Sequence, residues 1–226
     1  MSLQSFFRFE SLIEVKSHDM LLSTLLGLPL FLLTAMPLNE NMNEKNMQNP
    51  VPERTQSTEA LEYDLKKMLQ RYSAYNHWAD QQLADWLSSA SEEDLNREIE
   101  SSFASLKTTV LHIWNAEYLW LQIVKDESTD NSPARNFDGD KKDLLNGWLQ
   151  ASKKFSEHVQ TMSLEDLRTK RPRSNGKGHT LLADMIHHCM NHSTYHRGQL
   201  ITMGRQAGLS DPPRTDFIYY ISLDSE

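Results

Sequence analysis

From about Thr58 the chain takes on a helical period. Leu61, Leu65, Met68, Tyr72, Tyr75, Ala79, Leu83, Trp86 and Leu87 recur at three- and four-residue steps, which predicts one apolar stripe along a long helix. Serines and charges interrupt the pattern over residues 88 to 104, and Ser105 reads as the N-cap of a second helix reaching about Val124. That helix is apolar nearly all round (Leu106, Val110, Leu111, Ile113, Trp114, Tyr118, Leu119, Trp120, Leu121), which predicts a central position. After a polar loop over 126 to 139, Leu144, Leu145, Trp148, Ser152, Phe155 and Val159 mark a third helix. A long loop over 163 to 179 holds a turn at Ser174 to Gly178. Thr180 then caps a fourth helix with the stripe Leu181, Met185, Cys189, Leu200 and Met203, closed by Gly208 with Pro212 and Pro213 beyond. Four long helices and no convincing sheet predict an all-α four-helix bundle over residues 57 to 226. The loops are too long to say which helices adjoin. The tail DFIYYI is apolar enough to pack back on the bundle or to form a short strand.

Residues 1 to 56 do not share this pattern. Met20 to Leu38 is an uncharged apolar run near the length that spans a bilayer, and residues 39 to 56 form a polar linker. The preceding stretch mixes Arg8 and Lys16 with Glu10, Glu14 and Asp19, and no small-residue cleavage motif follows, which argues against a signal peptide. Pro29 weakens a spanning helix. The favoured expectation is a non-domain extension ahead of a start at Met42 or Met47, in a cytoplasmic protein. Export, or a membrane anchor through residues 20 to 38, is the alternative.

Composition narrows the chemistry. A formal net charge of −8 disfavours binding to a phosphate backbone, so no nucleic-acid partner is expected. The one cysteine, Cys189, excludes an intramolecular disulfide and, with no CxxC, a thiolate zinc site. There is no HExxH glutamate, no Ser-His-Asp signature, no phosphate-binding glycine loop, and no ExxH motif of a di-iron bundle. Arg168, Lys170, Arg171, Arg173 and Lys177 cluster before the fourth helix and read as a solvated loop rather than an anion site.

The histidines change the picture. His188, His192 and His196 step by four along the fourth helix, on or beside its apolar stripe. An unmade bond to a desolvated ring costs about 1–3 kcal/mol, and a metal ion would serve as a shared partner. The i to i+8 distance of roughly 12 Å keeps all three from one ion. A site therefore needs one i, i+4 pair and a ligand from another helix. Spacing leaves His188/His192 and His192/His196 both open. Among His18, His77, His112, His158 and His179, the best placed is His112, in the middle of the most apolar helix; His77 and His158 are expected to be exposed.

The strings AYNHWADQQL, LHIWNAEYLWL, NHSTYHRGQL and PPRTDFIYYI, in this order, resemble the DinB/YfiT-like family, a DNA-damage-inducible, metalloenzyme-like group. The resemblance covers about residues 57 to 226. It implies a four-helix bundle holding a divalent metal, zinc or nickel, through His112, His192 and His196. It also implies a small-molecule substrate, with a low-molecular-weight thiol transferred in some members, and a homodimer. A non-enzymatic bundle with structural histidines is the competing expectation. Catalytic residues beyond the metal ligands are not named by the sequence. Glu117 is expected to be partly buried, bonded either to a metal ligand or between helices, with Tyr195 and Gln199 flanking the histidine pair. Gly198, in mid-helix, predicts a close helix contact.

Overall fold

The computed structural model describes residues 58–172 and 177–223, with side chains from Leu65 onward. The apolar run 20–38 and the linker 39–56 lie outside these residues. Among those described, no helix is long and apolar enough to cross a membrane.

Four long helices carry the fold: α1 (Thr58–Leu87), α3 (Leu106–Lys125), α4 (Lys141–Thr161) and α6 (Leu182–Gln206). Short helices α2 (Glu92–Asn96), α5 (Leu164–Arg168) and α7 (Phe217–Leu223) occupy the connections and the tail. The all-α bundle is as expected. Around it the long helices adjoin in the order α1, α4, α3, α6, so α1 faces α3 across the core and α4 faces α6.

Local chemistry sets the ends. Ser105 caps α3 as expected, its hydroxyl accepting from Thr108 N while Thr108 Oγ1 accepts from Ser105 N. Asp140 caps α4 by accepting from Asp143 N. Thr180, expected as the cap of the fourth helix, does not have that role. It lies in a two-stranded antiparallel hairpin, β1 (Lys170–Pro172) with β2 (His179–Leu181), paired to Arg171. Helix α6 starts straight off β2 with no side-chain cap, and the Leu182 N–H finds the Thr169 carbonyl instead. The small sheet and the helix α2 inside residues 88–104 are corrections to the sequence reading. Both elements are too short to show a period. Gly208, at φ +97°, follows α6 in the left-handed conformation that terminates helices.

The tail forms helix α7 rather than a strand. Phe217 and Tyr220 pack on Tyr75, Tyr220 also meets Trp78, and the Tyr75 hydroxyl donates to Thr215 O at 2.6 Å. Gly198 is not a close contact: a Cβ there would meet nothing within 4 Å. The tight glycines within helices are Gly204, against the Trp86 ring, and Gly147, against Trp114. Leu65 and Met68, assigned to the stripe of α1, are exposed, and Leu69 takes the buried position.

The core is in two apolar halves. One is built around Leu83, Leu106, Val110, Trp114, Trp148, Leu200 and Met203. The other holds Leu69, Leu121, Phe155, Met185, Ile186 and Cys189. A buried polar layer separates them, with a contribution from every long helix: Asn76 and Asp80 from α1, Glu117 from α3, Ser152 from α4, Ser193 and Arg197 from α6.

Candidate metal centre

Helix α6 presents two neighbouring faces. Cys189, Ser193, Arg197 and Leu200 form its buried line, and His188, His192 and His196 each precede a member of that line by one residue, about 100° round. The histidines therefore flank the stripe rather than lie on it. His188 is exposed, His192 half-buried and His196 only 4% exposed. The Ser105 cap fixes where α3 begins, and His112, two turns in, is turned toward α6.

These positions bring His112, His192 and His196 together. One ring nitrogen from each lies within 4.8 Å of the others. His112 Nε2 and His192 Nε2 are 2.8 Å apart, so in this arrangement one ring donates to the other. A tetrahedral ion with nitrogen ligands at 2.0–2.1 Å would spread such a pair to about 3.3 Å, a shift of tenths of an ångström. Helix α6 thus supplies the His192/His196 pair. His188 meets His192 ring to ring at 5.8 Å and Trp120 at 5.0 Å, but does not join the three. His77 and His158 are half-buried, not exposed as expected, and both stand outside the cluster.

Electrostatics favour the ligand form. Burial, reinforced by repulsion from His196 and the neighbouring rings, pushes His112 and His192 down to about 3. Burial also lowers His196, against the raising effect of its hydrogen bond to Gln199 Oε1. All three are neutral at pH 7 and offer lone pairs. His196 Nδ1 lies 2.8 Å from Gln199 Oε1, which fits an Nδ1–H donor and leaves Nε2 as the free ligand atom. The donor set therefore fits a divalent ion. Sequence reasoning missed the loop over 97–105, which closes this end of the site. Its Phe103 stacks on His112 at 4.1 Å and its Ser102 hydroxyl accepts from Gln199 Nε2 at 2.7 Å.

Glu117 is placed elsewhere. It is fully buried and accepts from Asn76 Nδ2 at 2.7 Å and Ser193 Oγ at 3.0 Å, the interhelical role foreseen for it. Burial, with Asp80 close by, raises its carboxyl well above the usual range. Asp80 accepts from Ser152 Oγ at 2.7 Å and from Arg197 Nη1 at 2.9 Å, while Arg197 also donates to Asn76 Oδ1 and to Thr194 Oγ1. The layer thus holds the Asp80–Arg197 ion pair beside Glu117, whose burial favours the protonated carboxyl. Asn76, Asp80 and Arg197 were not singled out in the sequence. The available signal was their spacing, since Asn76 and Asp80 stand four apart and Arg197 lies eight beyond Cys189 on the apolar line.

A helical bundle with three imidazoles converging from two helices is an all-α protein carrying a side-chain group that could hold a metal ion. The model of the DinB family matches residues 55–224, and the chain belongs to that family. Among curated relatives, Protein DinB of Bacillus subtilis (strain 168) is 26% identical over 158 residues, which covers 66% of this chain and 91% of the relative.

Proposed function

We propose that this chain is a divalent-metal-dependent enzyme, with His112, His192 and His196 holding zinc or nickel and a low-molecular-weight thiol as substrate. The observation that carries the reading is the convergence of three neutral ring nitrogens within 4.8 Å, from two helices. Three nitrogen ligands leave an open position, and an ion bound there lowers the pKa of a bound water toward ~7 or holds a thiol as its thiolate. The residues around it have definable tasks. Phe103 covers His112 and restricts water on that side, and Gln199 orients His196. No carboxylate joins the three histidines among the described residues, and Glu117 is occupied in the core. Hydrolysis therefore lacks a proton acceptor at the site, which favours transfer of a thiol that needs only to be held ionised.

The test is consumption of a panel of low-molecular-weight thiols against an alkylating electrophile, by metal-loaded protein, chelated protein and His192→Ala. Faster reaction in the loaded protein alone supports the proposal. Equal rates in all three across the panel refute thiol transfer. A second reading draws on the 2.8 Å His112–His192 contact, which gives the Nε2 of each ring a partner without an ion. On that reading the histidines are structural, and chelator alters neither the fold nor the binding of any ligand.

A further inference from the structure

Gln199 follows His196 by three residues, one turn along the same face of α6, and its amide is held at both ends. Its Oε1 is 2.8 Å from His196 Nδ1, and its Nε2 donates to Ser102 Oγ at 2.7 Å. The amide has two distinct ends, so the Ser102 contact decides which of them meets the imidazole. With Nε2 committed to Ser102, Oε1 faces His196 and demands an N–H there. The ring is then fixed as the Nδ1–H tautomer with Nε2 bare. Ser102 is itself held in place by its loop: Ile99 N donates to Ala104 O at 2.9 Å, Ile99 is buried in the core, and Arg97 reaches Ala207 O at 3.2 Å.

We infer that Gln199, oriented by Ser102, is a positioning residue that sets the tautomer and ring orientation of His196 for metal binding. The inference rests on the proposed metal site, but its first consequence is visible without metal. In the contact between His112 and His192 the two Nε2 atoms meet, and either can carry the shared proton. His196 is the ligand whose lone pair is already aimed. A group that fixes a ligand in this way changes metal affinity by about 10–100-fold when removed.

The experiment combines nitrogen-15 imidazole spectra of the chelated protein with cobalt(II) titration of the wild type, Gln199→Leu, Gln199→Glu and Ser102→Ala, each checked for helicity. The wild-type His196 spectrum is expected to show Nδ1 protonated and Nε2 bare. Gln199→Leu should lose that preference and bind cobalt about 10–100-fold more weakly. Gln199→Glu keeps an acceptor against Nδ1–H and should restore both. Ser102→Ala should give a smaller loss in the same direction, and it decides the matter if Gln199→Leu fails to fold. Unchanged cobalt affinity in Gln199→Leu, Gln199→Glu as weak as Gln199→Leu, or a protonated Nε2 in the wild type would each overturn the inference. If the wild type takes up no cobalt, the metal reading fails, and the tautomer spectra still decide the role of Gln199.

Discussion

Replacing Arg197 by methionine should cost far more stability than any nearby change. The guanidinium is 1% exposed and donates to Asp80, Asn76 and Thr194, and Asp80 is itself 0% exposed. Methionine fills much of the volume but strands the Asp80 carboxylate in the core. Removing one partner of a buried ion pair costs about 3–5 kcal/mol, mostly through the uncompensated charge. Glu117→Gln is the matched control. Its amide keeps an acceptor for Asn76 and Ser193, and burial already favours the uncharged form of the native side chain, so the loss should stay within about 1 kcal/mol. The pH dependence follows in sign. Glu117 has a raised folded pKa, so its contribution is complete below its ordinary value of 4.5 and fades as pH rises. Wild type should therefore weaken relative to Glu117→Gln as pH rises above 4.5. The assay is urea unfolding followed by far-ultraviolet circular dichroism, with chelator present so that metal binding does not add to stability. A loss below about 1 kcal/mol in Arg197→Met, or equal losses in both variants, would refute the buried-pair account.

Two further perturbations test other parts of the structure. Gly198→Ala adds a methyl into open space and removes a helical glycine, so it should stabilise by up to about 1 kcal/mol, whereas Gly204→Ala would drive a methyl into Trp86 and should cost about 1–3 kcal/mol. Denaturant midpoints that shift alike in the two variants would contradict this. In chelated protein, His112 and His192 stay neutral until about pH 3 while the unfolded chain protonates near 6.5. Stability is thus full above pH 6.5 and falls on acidification toward 3, by at most about 1.4 kcal/mol per pH unit for each ring. The double variant His112→Gln/His192→Gln should show a shallower fall over that window, and an identical slope would remove the assignment.

The helices were legible because their apolar residues recur over many turns, as with Leu144, Leu145, Trp148, Phe155 and Val159, every one of which is buried as expected. The hairpin and α2 were not, because three- and five-residue elements carry no period. The sequence placed Thr180 as a cap because threonine suits that role, but a strand pairing took it first. Gly198 illustrates the same limit: a helical glycine signals a close approach only when another helix lies on its side, and here that side is open. At the site, spacing showed that two turns of α6 needed a partner helix, with His112 the best placed outside ligand, and the family resemblance selected the His192/His196 pair to go with it. The adjacent polar layer was hidden because Asn76, Asp80 and Arg197 read singly as surface residues. Only their meeting from α1 and α6 makes their burial affordable.

The central claim is that three histidines hold one ion. Elemental analysis of untagged protein, with His112→Ala and His192→Ala alongside, tests it most directly. The account predicts one divalent ion per chain in the wild type and its loss in both variants. Metal-free wild type that takes up no ion on titration would contradict it.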